Sequence, residues 1–146
     1  GRVYSMGRGF SMTRRVAFDE TDAAGQVHFS RFLVWGEEVE HAFLRACGIS
    51  VLPEGGGGWP RVRVAADYRG PVRFTDQVVL DLRLEAVGRS SLSWMCEVLV
   101  DEEVVAEMSW TCVRVGAAGK AVALSAGERA QLLAEEPLLG SDLSEG

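Results

Sequence analysis

The chain has 146 residues, of which 47% are hydrophobic and 25% charged, and its formal net charge at pH 7 is -6. This length suits one domain, and the composition is that of a globular protein rather than a disordered one. The acidic balance argues against nucleic acid or an anionic membrane as the main partner, and no run of about 18 apolar residues is present to span a bilayer.

The ends of the sequence are predicted to lie outside a single domain over residues 13–136. Residues 1–12 combine Gly, Ser and Arg without an apolar segment, which indicates a flexible arm rather than a secretory signal. Residues 137–146 predict a frayed tail. The three cysteines stand in apolar surroundings, which is typical of buried, reduced thiols in a cytoplasmic protein. Two histidines, with no Cys/His pair at ligand spacing, predict no zinc site.

The first half of the domain predicts one strand and one long helix. Apolar residues alternate with polar ones over Arg14–Phe18, as in a short strand. An acidic loop over residues 19–25 follows. The apolar residues of Phe29–Cys47 then recur at helical spacing, with Gly48 placed as a C-cap. Glu40 is the exception on this stripe, and its carboxylate indicates either a pocket, an interface or an error in the helix register.

The second half of the domain predicts four strands and a short helix. Alternation of apolar and polar residues is clear from Gln77 to Val87. The glycine run at 55–58 lacks the Lys and Ser/Thr of a phosphate-binding loop and is predicted to be a mobile loop. One long apolar helix against five strands predicts an α+β fold in which an antiparallel sheet wraps the helix. The four strands are Arg61–Tyr68, Gln77–Val87, Ser91–Val100 and Val104–Val115, and the helix is Ser125–Glu135.

The segment before the long helix resembles a family signature. Residues 18–29 read Phe-Asp-Glu-Thr-Asp-Ala-Ala-Gly-Gln-Val-His-Phe, which is similar to the motif of 4-hydroxybenzoyl-CoA-type thioesterases with the hotdog fold. Weaker similarities lie at residues 59–60, 65–71, 75–78 and 88–91. The resemblance implies a hotdog fold, with five antiparallel strands around one central helix. It also implies acyl-CoA thioesterase activity without a metal or organic cofactor.

The resemblance implies that Asp22 is the catalytic carboxylate, either as nucleophile or as general base. It implies that the backbone N–H of Phe29 polarises the thioester carbonyl. A helix N-terminus suits this role because its free N–H groups and dipole favour an oxyanion. Such donors stabilise the transition state of acyl transfer by about 3–4 kcal/mol. Asp19 and Glu20 are candidates to raise the pKa of Asp22 by like-charge repulsion. Without the resemblance, Asp22 would be interpreted as a turn or capping residue.

Five further residues are candidate substrate contacts, each with a structural alternative. His28 is either a proton shuttle or substrate contact, or a packed ring. Glu40 needs a polar partner in its apolar surroundings, and Trp59 lines the acyl pocket or packs in the core. The resemblance implies that the turn containing Arg89 and Ser90 meets the CoA tail, whereas the alternative is a solvent-exposed turn.

The implied substrate is an acyl-CoA or an acyl-carrier-protein thioester, and aromatic, branched and medium-chain acyl groups all remain open. Two other functions are alternatives: a hotdog dehydratase or hydratase, whose pairing of His with an acid is not found here, and a hotdog domain that binds acyl-CoA without turnover. The resemblance implies a homodimer or homotetramer. A single sheet over one helix also leaves an edge strand uncovered, which favours self-association.

Overall fold

The described part of the computed structural model comprises residues 9–135 and residue 138, and it contains five strands, two α-helices and one 3-10 turn. The predicted α+β class is confirmed, because these strands form one antiparallel sheet and the long helix packs against it. The elements are β1 (Gly9–Arg15), α1 (Phe29–Ala46), β2 (Arg61–Tyr68), β3 (Gln77–Val87), β4 (Ser91–Val100), β5 (Glu103–Val113) and α2 (Ala126–Leu133).

The strand order across the sheet is β1-β3-β4-β5-β2, so β1 and β2 are the two edges. β3, β4 and β5 are neighbours in the sheet and follow one another through short turns. Between β2 and β3 the chain crosses the sheet, from the β2 edge to the position beside β1 at the opposite edge. The loop before α1 lies at the start of β3, where Val16 N–H donates to the Asp76 carbonyl at 3.0 Å. We call this the loop end of the sheet. The opposite end, which holds the turn at residues 88–90, is the turn end.

The core lies between α1 and the inward face of the sheet. In β3, Leu80, Leu82 and Leu84 are at most 1% exposed, as the alternation predicts. Burial of each such side chain stabilises the folded state by about 1.5–3 kcal/mol relative to leaving it exposed to water. Gly36 brings α1 close to β5, since a Cβ at this position would lie 3.1 Å from the Trp110 ring.

The first strand begins earlier than the sequence predicts, at Gly9–Arg15 rather than Arg14–Phe18. The reason is that Phe10 and Met12, each 4% exposed, point into the core while their backbone pairs with β3. The predicted flexible arm is therefore wrong for residues 9–12, and residues 1–8 lie outside the described part of the chain. Phe18 instead starts a 3-10 turn and is 71% exposed.

The remaining elements follow the predicted boundaries closely. β2, β3 and β4 have the predicted ranges, and α1 ends one residue early, followed by Gly48 at φ +76°. Ser125 and Glu128 form the predicted capping box of α2. Of the predicted tail, residue 137 and residues 139–146 lie outside the described residues. Among the residues that are described, no helix is long and apolar enough to cross a membrane.

Candidate active site

The loop between β1 and α1 folds back on itself as a short hydrogen-bonded ladder. At its base, the Glu20 carbonyl accepts from His28 N–H at 3.0 Å, and further out Asp22 N–H donates to the Gln26 carbonyl at 2.7 Å. Gly25 turns the chain with φ +78°, a left-handed conformation that glycine adopts without strain. The predicted reversal at Gly25 is therefore observed, and it places Asp22 and the start of α1 on the two arms of one loop.

The Asp22 carboxylate uses one oxygen to hold the loop and leaves the other open. Oδ1 accepts from the N–H groups of Ala24 at 2.9 Å and Gln26 at 3.1 Å, which is the pattern of an Asx turn. No donor among the described residues reaches Oδ2, and the residue is exposed. The turn and catalytic interpretations are thus compatible, because one oxygen builds the loop and the other remains available for chemistry.

The N-terminus of α1 presents a backbone donor without an acceptor. Phe29 N–H donates to no described residue, as expected in the first turn of a helix. His28 is the N-cap, with Nδ1 3.3 Å from Ser30 N and 2.7 Å from Ser30 Oγ. The open N–H at the positive end of the helix dipole is the kind of group that stabilises an oxyanion. A direct contact of His28 with substrate stays a prediction.

Aromatic side chains surround this helix start. Tyr68, at the end of β2, donates its hydroxyl to the Phe29 carbonyl at 2.8 Å, and its ring meets Phe32 edge-on at 5.1 Å. The His28 ring lies 4.5 Å from that of Phe29. Burial raises the pKa of Tyr68 further above neutral pH, where a phenol is already protonated and able to donate. Tyr68 is missed by the sequence, in which nothing indicates that β2 ends beside α1.

Glu20, at the base of the loop, points inward. Arg14 Nη1 lies 2.7 and 2.8 Å from its two carboxylate oxygens, and Ala17 N–H and Trp35 Nε1 donate to it at 2.8 and 2.7 Å. Burial alone would raise the pKa of Glu20, but these hydrogen bonds and the Arg14 charge outweigh it and lower the pKa. The Arg14 guanidinium therefore pairs with the Glu20 carboxylate at the base of the loop, and the predicted repulsion of Asp22 by its acidic neighbours stays a prediction.

Glu40 is completely buried between α1 and the sheet. Trp110 Nε1 donates to its Oε1, the Cys112 thiol lies 3.3 Å away and the Arg61 guanidinium 3.4 Å away. The predicted helix register is therefore correct, and the ion pair with Arg61 explains how the core holds a carboxylate. Glu40 lies eleven residues beyond Phe29, about 16 Å along the helix. Within one chain it is not brought together with the loop between β1 and α1.

Arg89, Ser90 and Trp59 lie at the turn end of the sheet. The Arg89 carbonyl accepts from Leu124 N–H at 2.8 Å, which ties the turn to the segment before α2. The 11 residues of β3 separate this turn from the loop end, a distance of about 35 Å at strand spacing. The predicted site residues of one chain therefore lie at two distant places. Contacts of Arg89, Ser90 and Trp59 with substrate remain predictions.

The described residues offer neither a thiol nucleophile nor a metal site. The cysteines are buried free thiols, as predicted. Burial raises the pKa of Cys96 and of Cys112 to about 12, so these thiols stay protonated and unreactive. Across the described residues, no group of three or more His, Cys, Asp and Glu side chains is placed to hold a metal ion.

Sequence comparison identifies relatives over most of the chain. Residues 24–107, more than half of the chain, match the family model described as Thioesterase superfamily. This segment begins just after Asp22. A 1,4-dihydroxy-2-naphthoyl-CoA hydrolase from Synechococcus sp. is 35% identical over 103 residues, which cover 65% of this chain and 69% of that protein.

Solved structures share the fold. A hypothetical protein from Aquifex aeolicus superposes with a TM-score of 0.79 and 28% identity, over 84% of this chain and 98% of that one. A 1,4-dihydroxy-2-naphthoyl-CoA thioesterase from Synechocystis gives a TM-score of 0.78 at 21% identity, over 85% of this chain and 95% of that one. The predicted hotdog fold and the predicted thioesterase class are confirmed: the chain belongs to the thioesterase superfamily.

Proposed function

We propose that this chain hydrolyses acyl-CoA thioesters to a free acid and CoA, with Asp22 as the reacting carboxylate. The observation that carries the proposal is the loop itself, which presents an open Asp22 oxygen on one arm and an open Phe29 N–H beyond the other. Thioester hydrolysis needs both groups, because attack on the carbonyl carbon must be accompanied by stabilisation of the oxyanion.

Two routes are open to Asp22. As a nucleophile, Oδ2 bonds to the acyl carbon, the C–S bond breaks with CoA leaving as its thiolate, and water then cleaves the mixed anhydride. As a general base, the carboxylate takes a proton from a water molecule that attacks the same carbon, and the departing sulfur is then protonated. Either route uses Oδ2, while Oδ1 keeps its bonds to Ala24 and Gln26.

The acyl group is proposed to be aromatic. The name of the Synechococcus relative gives its substrate as an aromatic acyl-CoA. In this chain the rings of His28, Phe29 and Tyr68 lie together beside the open N–H, and Phe29 and Tyr68 are 61% and 44% exposed. Planar rings of this kind suit stacking against a flat acyl group.

The site is proposed to be shared between two copies of the chain. Asp22 and Phe29 are exposed at the loop end, whereas Arg89 lies at the turn end of the same sheet. β2 is an edge strand that exposes 63% of Val62 and 45% of Val64, and such an edge favours pairing. Antiparallel pairing of two β2 edges would bring the turn end of one copy beside the loop end of the other.

Release of free thiol from a panel of acyl-CoAs tests the proposal. The panel comprises 1,4-dihydroxy-2-naphthoyl, benzoyl, hydroxybenzoyl, phenylacetyl and straight-chain thioesters. We expect hydrolysis that is fastest with an aromatic acyl group and lost on replacement of Asp22 by Asn. Binding of these thioesters without thiol release from any of them would refute the proposal and favour a non-catalytic acyl-CoA-binding protein.

A further inference from the structure

Glu20 joins three elements of the loop end through its side chain. Arg14 of β1 holds both carboxylate oxygens, Trp35 in the second turn of α1 donates to one, and Ala17 N–H donates to the other. Arg14 also lies 5.1 Å above the Trp35 ring and 3.1 Å from Glu38. Because Glu20 is only 6% exposed, these charge-assisted hydrogen bonds form with little competition from water.

The main chain of the same residue closes the loop. Its carbonyl accepts from His28 N–H at 3.0 Å, and His28 directly precedes the proposed oxyanion donor, Phe29. Two residues after Glu20 comes Asp22, whose N–H continues the ladder. A displacement of Glu20 would therefore move both arms of the loop relative to α1.

We propose that Glu20 is a positioning residue for thioester hydrolysis, which fixes the Asp22 carboxylate relative to the Phe29 N–H by bonding the loop to β1 and α1. Its buried side chain does not touch substrate. The inference rests on the proposed role of Asp22. A misplacement of about 1 Å in such an arrangement lowers the rate on the order of 10²-fold, so the effect falls on kcat.

Glu20→Gln tests this role. The amide keeps the side-chain length and an acceptor for Trp35, but removes the charge that binds Arg14. We expect kcat to fall by about 10- to 100-fold, while KM for the acyl-CoA changes by less than about threefold, as expected when ground-state binding is intact. Circular dichroism and oligomer size should match the parent protein.

The decisive measurement places Glu20→Gln in an Asp22→Asn background. Positioning acts only through the Asp22 carboxylate, so the second substitution should lower the residual kcat by less than about twofold. An equal loss in both backgrounds would indicate a general structural effect and overturn the proposal. Parent kcat in folded Glu20→Gln would overturn it while leaving the role of Asp22 intact. Parent activity in Asp22→Asn would overturn both.

Two further variants complete the design. Glu128→Gln is the matched control, because Glu128 likewise bonds an arginine, Arg114, and the N–H of Ser125, but at the turn end of the sheet, and its kcat should equal that of the parent. Trp35→Phe is the second test of the proposal if Glu20→Gln does not fold. It removes the Nε1 donor together with part of the fully buried indole ring. We expect a kcat loss of about 2- to 10-fold that again disappears in the Asp22→Asn background.

Discussion

Replacement of Asp22 by Asn removes the proposed chemistry while disturbing the loop little. The amide oxygen can still accept from Ala24 and Gln26, which donate to Oδ1 at 2.9 and 3.1 Å. The charge and basicity at Oδ2 are lost. We expect kcat to fall by about 10²–10⁴-fold, the range for loss of a positioned acid or base, which corresponds to about 3–5 kcal/mol of barrier. The melting temperature should change little because the loop keeps its hydrogen bonds.

The assay is thiol release at saturating concentrations of the best acyl-CoA, with circular dichroism and light scattering to verify the fold and oligomer size. Asp101→Asn is a matched control. It removes the same charge from an exposed turn at the loop end, where φ is +50° and asparagine is well tolerated. A correctly folded Asp22→Asn protein that kept more than about a tenth of parent kcat, well short of the expected loss, would refute the assignment of the chemistry to Asp22.

Two predictions concern stability. Gly36→Ala should lower the free energy of unfolding by about 1–3 kcal/mol, because its Cβ would lie 3.1 Å from an indole ring of β5, whereas Gly127→Ala in α2, with space around it, should be neutral or stabilising; urea unfolding measures both. Hydrogen bonds lower the pKa of Glu20 and Glu128 below 4.5 despite burial, so their stabilisation is complete above that pH and is lost as pH falls through the lowered pKa values. The urea midpoint of the parent protein should therefore decrease on acidification, and that of Glu128→Gln should decrease less steeply with pH. An equal pH dependence of the two midpoints would contradict this prediction.

Strands and helices were predictable because their patterns are local. The leucines of β3 alternate with outward-facing residues, and this alternation alone gives the boundaries Gln77–Val87. β1 escaped prediction because its inward residues, Phe10 and Met12, lie among Gly, Ser and Arg residues typical of a flexible arm. Only pairing with β3 makes this segment a strand, and a pairing partner cannot be recognised from the segment itself.

The loop between β1 and α1 was predictable in its reversal and its exposed carboxylate, but not in the contacts that support it. Gly25 signals a turn in the sequence, and the structure shows it at φ +78°. The contact of Glu20 with Trp35 joins residues 15 positions apart, and a glutamate in an acidic run carries no sign that it is buried. Glu40 did carry such a sign, since it interrupts an apolar stripe. Its partner Arg61 comes from a different element, which the helical pattern does not identify.

The division of the predicted site between the two ends of the sheet leads to a test by mixing subunits. If Arg89 binds the CoA part in the partner's site, Arg89→Ala alone should raise KM and leave kcat largely intact. A mixed dimer of Asp22→Asn and Arg89→Ala chains would then hold one site with both defects and one site with neither. After unfolding and refolding of an equimolar mixture, about half of the dimers are mixed, so kcat/KM should recover to about a quarter of the parent value. If Asp22 and Arg89 serve the same site from one chain, no mixed dimer contains an intact site, and mixing will restore nothing beyond the average of the two variants.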